Sequence, residues 1–97
     1  MLVQLKKNVT VEETVEIGLP AYYKSEPDYY MIAEDETIIN LFSGVYYQSI
    51  TVHKKESLDY STRLANVIKS EPISGTEFHF QFVLLMESLE NAIKKPV

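Results

Sequence analysis

The sequence predicts an α+β fold in which a meandering antiparallel β-sheet packs one face against a single C-terminal α-helix. A change of period carries that expectation. Up to about residue 70 apolar side chains recur at every second position, as in a strand with one buried face. From Ser74 onward they recur at three and four, as in a helix with one buried stripe. Composition agrees with a single domain over residues 1–97, since 45% apolar and 24% charged residues are ordinary for a globular chain. The length suffices for one core and leaves little apolar burial to spare.

Val9, Val11, Val15, Ile17 and Leu19 share one parity while Glu12, Thr14, Glu16 and Gly18 share the other, which predicts a long first strand. Leu19-Pro20 breaks the pattern and Ala21 to Lys24 resumes it; Ser25-Glu26-Pro27-Asp28 then puts proline at a central turn position between polar flanks. Tyr29 to Ala33 and Thr37 to Phe42 are rich in aromatic and β-branched residues and flank the acidic turn Glu34-Asp35-Glu36, so they read as a hairpin. Ser43-Gly44 is the next turn signal, and Val45 to His53 the next strand. From Leu58 to Ile68 the even positions Leu58, Tyr60, Leu64 and Ile68 oppose Ser57, Asp59, Ser61 and Arg63, which favours a further strand. Tyr60, Leu64, Val67 and Ile68 also fit a helix.

Pro72 ends whatever precedes it, because its ring disfavours helical geometry in the residue before. Ser74 followed by Glu77 has the spacing of a capping box, in which hydroxyl and carboxylate satisfy free N–H groups reciprocally. That spacing favours helix over a strand through Phe78, Phe80 and Phe82 for residues 76–83. Phe78, Phe82, Leu85, Leu89, Ala92 and Ile93 then form the buried stripe. Its large members are expected to meet Val15, Ile17, Ile32, Ile39, Ile50 and Val52 of the sheet. Lys94 and Lys95 suit the negative pole of the helix, and Glu90 with Lys94 is a favourable i, i+4 pair.

Several chemistries lack their residues. The chain has no cysteine, which removes disulfides, thiolate nucleophiles and zinc sites built on sulfur. Its three glycines, Gly18, Gly44 and Gly75, are isolated, whereas phosphate-cradling loops need several together. His53 and His79 stand far apart with no serine or carboxylate motif around either. Glu34-Asp35-Glu36 lacks the alternate ligand spacing and sharp glycine turn of a calcium loop. The expectation is a chain with no catalytic residues, no cofactor and no metal site. Net charge is −5 with Arg63 as the only arginine, a poor supply for neutralising phosphates or reading bases. No apolar run approaches the roughly 18 residues that span a bilayer, and Met1 to Lys7 is too short and wrongly flanked for a signal peptide. A cytoplasmic protein is expected.

What remains is a surface. On a helix advancing 100° per residue, Phe80, Val83 and Leu84 fall outside the buried stripe, and a single-layer sheet covers one side of a helix only. Either a second copy, another protein, or the segment Met1 to Lys7 with Leu2, Val3 and Leu5 must cover them. Six of the seven tyrosines form adjacent pairs, Tyr22-Tyr23, Tyr29-Tyr30 and Tyr46-Tyr47, and strand neighbours point to opposite faces. Each pair therefore places one ring outward, and Tyr23, Tyr29 and Tyr46 join Phe80, Val83 and Leu84 as expected interface residues. Tyrosine offers large contact area with few rotors and a polar tip. The sequence thus points to a non-catalytic protein–protein interaction module. Two alternatives use the same features: single-stranded nucleic-acid binding by an outward tyrosine face, which the acidic balance opposes, and an acidic nucleic-acid mimic that inhibits a DNA-binding protein.

Leu19-Pro20 with Tyr22 and Tyr23, an aromatic strand, a hairpin, and Ile73-Ser74-Gly75-Thr76-Glu77-Phe78 opening a terminal helix with Phe82 and Leu85 resemble small uncharacterised proteins of Bacteroidetes phages and mobile elements. The resemblance spans about two thirds of the chain, although that helix is commonly more charged than His79 to Met86. It implies an accessory or virion role, in the host cytoplasm or in the particle, and supplies no catalytic residue.

Overall fold

The computed structural model describes residues 2–8 and 13–94, side chains at 6–8 and 13–15 excepted. Among them, seven strands form two antiparallel sheets, with two helices. Strands β1 (Leu2–Asn8) and β2 (Glu13–Gly18) pair as a hairpin, Leu2 opposite Gly18 and Leu5 opposite Val15. The main sheet contains β3 (Ala21–Ser25), β4 (Asp28–Ile32), β5 (Ile38–Ser43), β6 (Gln48–His53) and the two-residue β7 (Glu71–Pro72), in the order β6-β5-β4-β3-β7. Helix α1 (Tyr60–Ile68) connects β6 to β7, and α2 (Gly75–Lys94) ends the described chain.

The expected sheet-plus-helix architecture holds, with both faces of the main sheet covered. Tyr23, Ile32 and Ile38 are buried on one face with Leu5, Leu19 and α1 residues Tyr60, Leu64 and Val67. Leu41 lies on the other with Phe78 and Leu85 of α2, and Tyr22, Tyr29, Met31, Ile39 and Ile73 pack around them. Period two divides the residues between the faces: Tyr22, Met31, Ile39 and Val52 form one cross-strand row, while neighbouring Tyr23 and Ile32 point the opposite way.

Three expectations need correction. Residues 60–68 are helix and not strand, because Ala65 and Val67, at odd positions, are buried together with Tyr60 and Leu64. That combination follows the helical repeat. Of the long first strand expected from Val9 to Leu19, the described part is β2, and it pairs with a strand that was not expected, β1, with Val3 and Leu5 turned to the α1 core between exposed Leu2 and Gln4. Val9, Val11 and Glu12 and the side chain of Val15 lie outside the described residues. Finally, of the sheet residues expected against α2, Ile39 packs there, but Ile17 and Ile32 belong to the α1 core. Ile50 and Val52 are on the α2 side, beside Leu41 and Ile39, and stay exposed.

Two polar anchors set the frame. At the β4–β5 turn, Ala33 accepts the Glu36 N–H at 2.9 Å and Asp35 Oδ1 accepts the Thr37 N–H at 3.0 Å. Glu36 takes the left-handed conformation at φ 69°, and its carbonyl oxygen accepts the hydroxyl of Tyr60. This bond joins α1 to the turn. At α2, Ser74 Oγ accepts the Glu77 N–H at 3.1 Å, as half of a capping box does, while the Glu77 carboxylate turns to Lys24 Nζ at 3.1 Å. Lys24 also lies 3.7 Å from Glu26 and 3.8 Å from Glu71, so one cation ties β3 to β7 and to the start of α2. Its pKa is raised, chiefly by the bond to Glu77.

Candidate protein-interaction surface

Gly75 begins α2 against the ring of Tyr22; a Cβ there would lie 3.0 Å from Cε2. The absent side chain allows Tyr22 to reach Phe78, centroids 5.5 Å apart, and this contact seats the first turns on the sheet. Further along, Leu85 is the last buried residue of the helix, and Ser88 Oγ donates to Gln48 Oε1 at 2.8 Å near the β6 edge. From Met86 to Lys94 every residue is exposed.

With Phe78 and Leu85 facing the sheet, the helical repeat turns Phe80, Val83 and Leu84 away from it, at 60%, 50% and 44% exposure. Phe80 and Val83 border an open apolar depression with Thr76 and His79. The described residues Leu2 to Leu5 do not cover it: Val3 and Leu5 pack with α1, across the sheet from α2, and Leu2 is exposed. The apolar strip is also wider than the sequence indicated. Phe82, Met86 and Leu89 are exposed along the flank next to the Phe80 strip, and Phe82 lines a groove of about 190 Å³ with Met31, Ile39 and Phe78. The expected burial of Phe82, Leu89, Ala92 and Ile93 does not hold: Phe82 flanks the buried pair Phe78 and Leu85, and the last three lie beyond Leu85, where no residue of α2 is buried.

The tyrosines do not form one outward face. Tyr23 is a correction, 7% exposed inside the α1 core, because helices cover both faces of the sheet. Tyr29 is half-buried on the α2 side. Tyr46 is fully outward, in the exposed 45–47 turn expected to begin β6, and Tyr47 beside it stacks on Phe42 with centroids 4.9 Å apart.

Sequence reasoning missed a polar hollow of about 200 Å³ on the α1 side, bordered by Asp28, Tyr30, Asn40, His53, Arg63 and Asn66. Burial, with Arg63 nearby, lowers the pKa of His53, and Asp59 opposes the shift. Asn40 Nδ2 donates to Asp28 Oδ1 at 3.1 Å, and Arg63 Nε to Asp59 Oδ2 at 2.6 Å. Asp28, Asn40 and Arg63 are thus engaged within the fold, and the volume lies below the roughly 300 Å³ at which small-molecule pockets begin. His79 is elsewhere, on α2, with Nδ1 2.7 Å from the Gly75 carbonyl oxygen, so that nitrogen carries the proton. The acidic turn has local work, Asp35 capping Thr37 and Glu36 pairing with Lys55 at 2.9 Å.

Among the described residues, no three His, Asp or Glu side chains gather as a metal site would require, and no helix is long and apolar enough to cross a membrane. Comparison with protein-family models, curated proteins and solved structures finds no match to this chain.

Proposed function

We propose that this chain is a non-catalytic protein-binding module that presents the outer face of α2 to a partner protein. The observation that supports it is the exposure of Phe80, Val83 and Leu84 on a helix whose opposite side is already seated. Side chains of this size contribute roughly 1.5 to 3 kcal/mol each when fully removed from water, and contiguous apolar exposure of this kind marks interaction sites. The reading extends to an accessory or virion protein of a phage, acting in the host cytoplasm or in the particle, where binding is the whole activity. The single-strand alternative required three tyrosine rings on one surface, and two of them are engaged within the fold. The acidic-mimic alternative rests on net charge alone.

The test is a Phe80→Glu, Leu84→Glu double variant compared with wild type for capture of partners from the native host. Circular dichroism and thermal melting should match wild type while the captured partner is lost. Unfolding of the variant would assign these side chains to the core, and unchanged capture would remove α2 from the interface. Tight, salt-sensitive shifts of labelled single strands would favour nucleic acid instead.

A further inference from the structure

The two edges of the main sheet are built differently. One is β7, two residues long and containing Pro72, a blunt edge that offers little to pair with. The other is β6, which runs six residues, pairs with β5 without a register shift, and contains neither proline nor a formal charge in Gln48-Ser49-Ile50-Thr51-Val52-His53. Among the described residues nothing pairs with its outer side. Such an edge is a template for another strand.

Its side chains select which strand. Ile50 and Val52 lie on the α2 side next to Leu41 and Ile39, while Ser49, Thr51 and His53 lie on the α1 side. A two-fold axis perpendicular to the sheet pairs β6 with a second copy of itself, antiparallel and with faces preserved. Centred on Thr51, this pairing sets Ile50 opposite Val52 twice, Thr51 opposite Thr51, Ser49 opposite His53, and Gln48 opposite Lys54. On the α2 face apolar meets apolar at the centre and polar meets polar at the ends, and on the α1 face every pair is polar. Centring on Ile50 would oppose Val52 to Gln48, and centring on Val52 would oppose Ile50 to Lys54. Hydrophobic pattern sets register, and it singles out Thr51.

We propose that two copies of the chain join β6 to β6 about a two-fold axis at Thr51, making one continuous sheet with both α2 helices on the same side. The surface is separate from the outer face of α2, so this goes beyond the function proposed above. Ile50 and Val52, exposed in the single chain, thereby gain cross-strand partners on the helix side.

The test is sedimentation velocity at about 100 μM and below on wild type, Thr51→Lys, Thr51→Glu, an equimolar mixture of these two, and the Phe80→Glu, Leu84→Glu variant. Thr51 is exposed, so both substitutions leave the fold intact, as melting curves will verify. Wild type should dimerise. Each charged variant alone should weaken the dimer by roughly tenfold or more through like charges directly opposed, and their mixture should recover it. The α2 double variant should dimerise as wild type does. Thr51→Cys, in a chain without cysteine, should cross-link on oxidation, because Cα atoms opposed across strands are roughly 4.5–5.5 Å apart, within disulfide reach. A monomeric wild type, or Thr51→Lys dimerising undiminished, would overturn the proposal. A dimer lost in the α2 variant but kept in Thr51→Lys would also overturn it, and would place self-contact on the helix.

Discussion

Phe78 and Phe80 are two positions apart on α2, and the structure assigns them opposite fates under truncation. Phe78 is 3% exposed between Tyr22, Leu41 and Leu85, whereas Phe80 is 60% exposed on the far side. Replacing Phe78 by Ala returns roughly 100 Å² of apolar contact, worth about 2.5 kcal/mol at 25 cal/mol per Å². The ring pair with Tyr22 adds about 0.5 to 1.5 kcal/mol. The void itself costs little, since the adjoining groove lets Met31, Ile39 and Phe82 relax inward. The expected loss is therefore about 3 to 4 kcal/mol for Phe78→Ala and about 0.5 kcal/mol or less for Phe80→Ala. In a chain of this length that difference lowers the melting temperature by roughly 15 to 25 °C for the first variant and barely moves it for the second. Thermal and urea denaturation followed by circular dichroism will read both. Equal losses from the two variants, or less than about 1 kcal/mol from Phe78→Ala, would refute the orientation of α2 on which the interaction surface depends.

Alkaline pH should destabilise the fold through Tyr60, whose phenol burial and the nearby Glu36 and Asp35 push up to about 12. An unfolded tyrosine titrates near 10, so between those values the folded chain holds one proton more and stability falls as pH rises, by about 1.4 kcal/mol per pH unit. Tyr60→Phe should remove the Tyr60 share of the alkaline loss, leaving that of Tyr23, Tyr29 and Tyr30, whose phenols burial also pushes up, and at neutral pH should cost about 1 to 2 kcal/mol for the bond to the Glu36 carbonyl; urea midpoints at pH 7, 10 and 11.5 decide, and parallel profiles for the two proteins would contradict the assignment. Ser74→Ala should remove the acceptor for the Glu77 N–H and cost about 1 kcal/mol, while Ser74→Asp should restore it. Identical melting of Ser74→Ala and wild type would show that Lys24 and Glu77 hold the helix start unaided.

Local pattern alone determined the strands from Ala21 to Phe42, the helix from Gly75 and the cap at Ser74, because each depends on side-chain spacing and turn chemistry within a few residues. It also determined that Phe80, Val83 and Leu84 leave the buried stripe, since helical geometry fixes which positions oppose one another. The failures share a physical cause. At residues 60–68 the apolar spacing satisfied two periods, and only the burial of Ala65 and Val67 against a neighbouring sheet distinguishes them. Alternation separates the two rings within each pair, but it carries no information on cross-strand register or on what stands over either face; the pairing of Tyr23 with Tyr30 is what puts Tyr23 and Tyr29 on opposite faces. Tyr23 went inward because α1 and the β1–β2 hairpin cover the face that a lone C-terminal helix would have left open. The same long-range packing seated Leu5 away from α2 and left β6 as an edge, so tertiary structure decided which apolar side chains became core and which remained surface.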